Sequence, residues 1–282
     1  MARGVPGQLT VALQTAAGRI IVTDSVTFCD DRVGPDDVVV AGSFAGATAL
    51  GFVLERGVRA LIAHEAGVGR DAAGISGLPL ADRLGIPAAA VATMSARIGD
   101  GASLMDDGVI NHANVTATAL GVKPGLAARD AARLMLAAPP GRPAGPLLDR
   151  VPRVVVATDH GRIVLTGSTS FCDARYRGDV LCAGSHGGRV NIGPVLAIHP
   201  RGAIFNDGGM ARERSGVNGL PALHDAGIAA AAVASASARI GDPDSMWATG
   251  VVSAVNDTAA AFGVRVGQTV PLAARLLLER QN

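Results

Sequence analysis

Three short loops hold most of the residues with chemical reach, and each loop occurs twice. The stretch "AGSHGGR" at 183–189 sets Ser185, His186, Gly187 and Arg189 together. An imidazole there can act as acid or base near neutral pH, and glycine amides at a helix start favour an anion. The matching "AGSFAG" at 41–46 keeps Ser43 but has Phe44 in place of the histidine. The stretch "HEAGVGRDAAG" at 64–74 offers His64, Glu65 and Arg70, and its counterpart "NDGGMARERSG" at 206–216 offers Asp207 and Arg212. A carboxylate, an imidazole and an arginine suit proton transfer on an acidic substrate. The third loop is the hexapeptide "SARIGD", at 95–100 and again at 237–242. Arg97 and Arg239 carry a planar donor fork that fits a carboxylate or phosphate. Asp100 and Asp242 could instead turn that fork into a brace or cap the next helix.

The expected catalytic residues are therefore His186, Asp207, His64 and Glu65. The expected substrate contacts are Ser43, Arg70, Arg97, Ser185, Gly187, Arg189, Arg212 and Arg239. Cys29 and Cys172 follow phenylalanines at equivalent points, "TFCD" and "SFCD". A Cys172–His186 pair would make a nucleophile, whereas a cysteine in such a setting is usually a small core residue. Cys182 lies within a strand-like run and reads as core. Asp106, Asp107 and His112 in "DDGVINHAN" suggest a partial metal site, but no second ligand set accompanies them at suitable spacing. The chain has no Walker loop, no GxGxxG after a first strand, no GxSxG elbow and no CxxC. Neither a metal nor an organic cofactor is expected.

The elements that must position these loops repeat as well. Residues 18–136 lie over 161–278 with a single one-residue gap. "GRIIVTDSVTFCD" meets "GRIVLTGSTSFCD", and "GISGLPLADRLGIPAAAVA" meets "GVNGLPALHDAGIAAAAVA". The chain thus reads as a duplicated domain, 1–136 and 151–282, joined by the Pro/Gly-rich linker 137–150. Each half opens with alternating segments around a glycine turn, a β-hairpin signature. A βαβαβ run follows, which implies right-handed crossovers and a parallel sheet covered by helices. Two helical stretches close the first half, over roughly 103–120 and 126–137 by the same pattern reading. The expected fold is α/β, two tandem copies of this unit related by a pseudo-twofold. In such sheets ligands sit at the carboxyl ends of the strands, where all three loops emerge.

Composition narrows the function. The chain is 49% hydrophobic and 17% charged, which excludes a disordered chain. Its formal net charge is +1, its basic residues are scattered and aromatics are 3%, so nucleic-acid binding is not expected. "MARGVPGQLTVALQ" lacks the apolar core of a signal peptide, and no long apolar run suggests a membrane span. Three cysteines, an odd number, fit a reducing cytoplasm. Ala- and Gly-rich helices with few charges point to a homo-oligomer.

In the second half, "DVLCAGSHGG" followed by "GAIFNDGG" and "GLPALHDAGIAAAAVAS" is similar to the order of caspase-like folds. There a strand ends in a His-Gly loop and the next ends at a catalytic cysteine. Where that resemblance implies the nucleophile, this chain has Asp207–Gly208, so it implies the topology without the peptidase chemistry.

The leading expectation is an enzyme acting on a small anionic, carboxylate-bearing metabolite. Hydrolysis or other proton-transfer chemistry without a cofactor would occur at strand-end loops contributed by both repeats. The alternatives are a non-catalytic small-molecule binding protein and a structural assembly unit.

Overall fold

The computed structural model describes residues 8–280. Residues 1–7, part of the stretch read for a leader, and 281–282 lie outside them. The chain forms two compact units. The first comprises residues up to Ala66 and Gly74–Leu148, and the second comprises Asp149 onward together with the segment Gly67–Ala73.

In the first unit, β1 (Leu9–Thr15) and β2 (Gly18–Thr23) form the antiparallel hairpin. Then come β3 (Asp37–Phe44), α1 (Ala47–Leu54), β4 (Ala60–His64), α2 (Gly77–Arg83) and β5 (Ala88–Val91). The unit closes with α3 (Gly101–Asp107), β6 (Ile110–Ala113), α4 (Val115–Thr118) and α5 (Ala128–Met135). The sheet order is sequential, β1-β2-β3-β4-β5-β6, with β2 to β5 parallel and β6 antiparallel to β5. The second unit repeats this plan. Its elements are β7 (Arg153–Thr158), β8 (Gly161–Thr166), β9 (Val180–His186), α6 (Gly193–Ile198), β10 (Gly202–Asn206) and α7 (Leu220–Asp225). They continue with β11 (Ala229–Val233), α8 (Pro243–Thr249), β12 (Val252–Val255), α9 (Asp257–Ala261) and α10 (Val270–Glu279). The chain is thus an α/β protein of two similar halves, each a six-stranded mixed sheet with alternating helices.

Two features extend the sequence reading. The second hairpin strand of each unit joins the parallel sheet directly. The helical stretch expected over 103–120 is broken: Gly108 ends α3, β6 follows, and Asn114 caps the short α4. Four residues pairing at a sheet edge are too few to register as an alternating pattern.

Both faces of each sheet are buried, so successive strand residues enter different cores. In β11, Ala229, Ala231 and Val233 pack with α8 and α10, while Ala230 and Ala232 pack with the α6–α7 side around Phe205 and Leu223. Alanines at the sheet centre let the helices lie close to the backbone. Residues 141–148 pack on the first unit: Gly141 N–H bonds the Pro35 carbonyl, and the amides of Leu147 and Leu148 bond the Glu55 carboxylate. Among the described residues no helix is long and apolar enough to cross a membrane.

Candidate functional site

The repeated hexapeptide has a structural task for every residue. Its small and apolar members are buried, Ala96 and Ala238 fully so. Gly99 and Gly241 take φ of 81° and 82°, a region open to glycine. The amide of Gly99 donates to the Gly42 carbonyl at 2.7 Å, and that of Gly241 to Gly184 at 2.8 Å. This is why Ala-Gly-Ser and SARIGD recur together: each glycine of the first motif seats the turn of the second. Asp100 accepts the Ser103 amide as the N-cap of α3, and its other oxygen accepts Arg97 Nε at 2.9 Å. Asp242, Ser245 and Arg239 repeat this at the start of α8. Ser95 and Ser237 each donate to a carbonyl three residues back and accept the amide of Val109 or Val251. The Asp100 and Asp242 caps each contribute about 1 kcal/mol. In the second unit Arg239 Nη1 also reaches Asp71 of the segment 67–73, at 3.2 Å.

The next pair of loops follows the same logic. His64 ends β4 fully buried. Its Nδ1 accepts the Ala66 amide, and Nε2 lies 3.2 Å from the carbonyls of both Thr93 and Ala96. That geometry assigns the Nε2–H tautomer. Asn206 does the same work at the end of β10: its Oδ1 accepts the Gly208 amide and its Nδ2 donates to the Ala238 carbonyl. A neutral imidazole and a primary amide are interchangeable here, each one acceptor and one donor bridging a strand end to the hexapeptide turn. Burial pushes the pKa of His64 down, and the two carbonyls only partly oppose this.

A pH test follows. Below about pH 6.5 an unfolded His64 takes up a proton that the folded ring resists. The depressed folded value therefore adds stability above that pH, and it is lost as pH falls. The loss amounts to about 1.4 kcal/mol per pH unit until the folded pKa is reached. His64→Asn borrows the sister side chain and should fold normally. Urea melts of the two proteins between neutral and mildly acidic pH should diverge as pH falls. Parallel pH profiles would remove His64 from the acid response.

Glu65 and Asp207 begin the loops after these strands. Each is a buried carboxylate that accepts hydrogen bonds from the loop after the neighbouring strand and from the edge strand beyond. Asp207 accepts the amides of Gly209 and Ser235 and the hydroxyl of Ser253. Glu65 accepts the Thr93 amide at 2.7 Å, the Thr93 hydroxyl at 2.8 Å and Asn111 Nδ2 at 2.8 Å. The first unit adds one group: Nε2 of His112 stands 3.4 Å from Glu65 Oε2, on a side chain that remains half exposed. A bulge explains the aim. Val91 pairs with Ile110 and Ala90 with His112, so Asn111 is an extra residue in β6. Bulges re-aim side chains in this way beside functional sites. The same bulge in β12 presents Ser253, but the His112 counterpart is Ala254.

Backbone strain concentrates on these loops. Ala66, Val68, Asp71 and Ala72 in one, and Met210, Ala211, Glu213 and Arg214 in the other, have φ between 50° and 60°. For β-branched Val68 this is a genuine outlier. Each such residue costs on the order of 1–3 kcal/mol and persists where the surroundings over-determine it, a pattern typical of functional loops.

Comparison with protein-family models, with curated proteins and with solved structures finds no match.

The remaining expected residues are dispersed. His186 ends β9 almost fully buried, with Nδ1 accepting the Gly188 amide and its carbonyl accepting Asn191 Nδ2. Its counterpart Phe44 is equally buried. Gly187 donates its amide to the Asn206 carbonyl. Ser43 accepts the Val26 amide, whereas the buried Ser185 hydroxyl has no hydrogen-bond partner among the described residues. Arg189 meets Asn218 through its backbone amide. In the second unit Arg70 donates its amide to the Ser235 carbonyl and Nη1 to the Ser237 carbonyl, so it clasps the turn carrying Arg239. Arg212 lies 3.6 Å from Glu213. Burial pushes the thiols of Cys29 and Cys182 up to about 12 and that of Cys172 up to about 11. A thiol held protonated is a poor nucleophile. Asp106 pairs with Arg129, and Asp107 accepts the Ser103 hydroxyl. These two aspartates and His112 do not gather, and no group of three or more potential metal ligands forms among the described residues.

The sequence grouped Glu65 with His64 and left His112 among possible metal ligands. What it missed is that Glu65, Asn111 and His112 converge. The available signal was the aligned difference between His112 and Ala254.

Proposed function

We propose that this chain is an enzyme that moves a proton on a small carboxylate-bearing metabolite, as a hydrolase or isomerase-type catalyst without an organic cofactor. His112 is its acid–base group. One observation carries the reading: a buried carboxylate at the carboxyl end of a parallel strand holds a half-exposed imidazole that the sister unit lacks.

Glu65 is fixed by Thr93 and Asn111, so its second oxygen faces His112 in one position. Nε2 has two neighbours at 3.4 Å, Glu65 Oε2 and Asn111 Nδ2. Asn111 is committed to Glu65 at 2.8 Å, so we put the ring proton on Nε2, which leaves Nδ1 as the acceptor for a substrate proton. The imidazolium that results is stabilised by the Glu65 carboxylate beside it, which also orients the ring. Arg97 follows β5 in the turn after Thr93. Its Nε is taken by Asp100, and the half-buried guanidinium supplies a positive charge at the same end of the sheet, suited to an anionic substrate. Ala66, next to Glu65, is held at a φ of 50°, which favours a site fixed in one geometry. We place the enzyme in a reducing cytoplasm, in keeping with three free cysteines, and as a homo-oligomer.

Proton NMR in heavy water tests the proposal with a panel of 2-hydroxy acids, 2-keto acids and cyclic amides bearing a carboxylate. The wild-type protein should exchange a carbon-bound proton, or open a ring, in at least one member. Removal of the carboxylate from that compound should abolish the reaction. A panel without turnover, or turnover indifferent to the carboxylate, counts against it.

A further inference from the structure

The first unit contains an open cleft of about 240 Å³, away from the Glu65–His112 pair, between the β1–β2 hairpin and helices α3 and α5. Its floor is apolar: Ala12 and Leu13 from β1, Ile20 and Val22 from β2, and Met105 from α3. Its rim carries Arg129 and Arg133 of α5, with Asp106 of α3 beside Arg129.

The duplicated fold supplies an internal control. In the second unit the position of Met105 is Trp247, and that of Ala12 is Val155. Trp247, Val155 and Val156 pack together onto the core formed by Leu165, Met246 and Leu277. The positions of Thr10 and Ala102 are Arg153 and Asp244, which pair across the same place as an ion-pair roof. The position of Arg129 is Pro271. The two units share the strands and helices that form the crevice. In one it is filled by an indole and roofed by a salt bridge; in the other the filler is smaller, the roof is gone and a guanidinium is added. Folding alone does not require these changes, since the sister unit folds with the crevice closed.

We infer that this cleft is a binding site for an amphipathic carboxylate, a medium-chain alkanoate in its simplest form. The alkyl chain lies on Leu13, Ile20, Val22 and Met105, and the carboxylate meets Arg129 and Arg133. Each guanidinium has one aspartate beside it, Asp106 at Arg129 and Asp130 3.6 Å from Arg133, and each keeps further N–H donors that an anionic headgroup can accept from and a cationic one cannot. Burial of the chain supplies affinity, at about 0.8 kcal/mol per methylene covered. The planar forks supply headgroup selectivity.

Octanoate is the probe, and the reader is the NMR signal of the Met105 methyl group in methionine-labelled full-length protein, assigned with Met105→Leu. Octanoate should shift that signal saturably, and octylammonium should not. Ala12→Val with Met105→Trp rebuilds the closed crevice of the second unit and should abolish binding measured by calorimetry. Arg129→Gln with Arg133→Gln leaves the floor intact and should weaken octanoate binding about tenfold or more. This pair lies at the exposed rim, so it reports even if the refilled variant fails to fold. No shift of the Met105 methyl at millimolar octanoate overturns the inference. So does equal binding of octylammonium, or binding unaffected by the arginine pair. The outcome is independent of the proton-transfer reading, because none of these residues belongs to the Glu65–His112 group.

Discussion

His112→Ala is expected to lower turnover of the substrate found by the exchange panel by about 10²–10⁴-fold, the usual contribution of a positioned acid–base group. Its stability should change by no more than about 0.5 kcal/mol, because the side chain is half exposed and Glu65 keeps its hydrogen bonds from Thr93 and Asn111. Glu65→Gln is the informative companion. The amide still accepts from Thr93, but its NH₂ now faces Asn111 Nδ2, which was donating to the carboxylate, and His112 Nε2, which stood 3.4 Å from it. The ring loses the partner that fixes its tautomer, so turnover should fall to a similar degree. If the two residues act as one unit, the double variant should be no slower than the worse single one. Single-turnover rates and thermal melts of the three proteins check this. A His112→Ala protein that turns over normally would end the role given to His112. Multiplicative losses would mean that Glu65 acts on something other than the imidazole.

The sequence made the architecture legible because the duplication doubles every signal. Matched hairpins such as "GRIIVT" and "GRIVLT", apolar runs ending in Ala-Gly-Ser, and two copies of SARIGD point to one α/β unit used twice. The brace reading of Arg97–Asp100 and Arg239–Asp242 could also be stated beforehand, since a helix cap and an i,i+3 pair are local events. Non-local events were hidden. Glu65 and His112 are distant in sequence and meet only because β4 lies beside β5, β5 beside β6, and a bulge turns β6. The match of His64 with Asn206 was visible in the alignment. Its meaning was not, because the donor and acceptor pattern that makes the two equivalent depends on the carbonyls of a turn some thirty residues later. His186 drew attention because Phe44 replaces it in the other half. Both turn out to be deeply buried strand ends, so the exchange alone does not mark a reactive ring.

The largest stability effect is expected from a single methyl group at Gly42. The ladder between β3 and β4 runs Val40 to Ile62 and then Phe44 to His64, so β3 carries two extra residues just before its end. The excess bows Gly42 toward the hexapeptide turn, where its carbonyl takes the Gly99 amide. A Cβ on Gly42 would stand 2.5 Å from the Asp100 nitrogen, 2.6 Å from the Asp24 carbonyl oxygen and 2.8 Å from the Gly99 carbonyl carbon. All three are backbone atoms, so no side chain can rotate away. Relief requires that the turn separate from the strand end. That lengthens the Gly99 bond and strains the Gly101 amide bond to Asp24, at the start of the helix Asp100 caps. Overpacking of this kind costs about 1–3 kcal/mol and occasionally more, and Gly42→Ala should lie at or above the upper end. Gly184→Ala makes the same change in the second unit, but its nearest contacts are 2.8 to 3.0 Å, so a smaller loss is expected. At Gly34 nothing lies within 4 Å of an added methyl, and Gly34→Ala should be nearly neutral. Urea denaturation of the three variants should rank them Gly42, Gly184, Gly34 from most to least destabilised. Gly42→Ala should also loosen the Arg97 turn, seen as faster amide exchange at residues 97–103. If Gly42→Ala is as stable as Gly34→Ala, the interlock of the two repeated motifs does not hold the turn, and the shared reason for their duplication is lost.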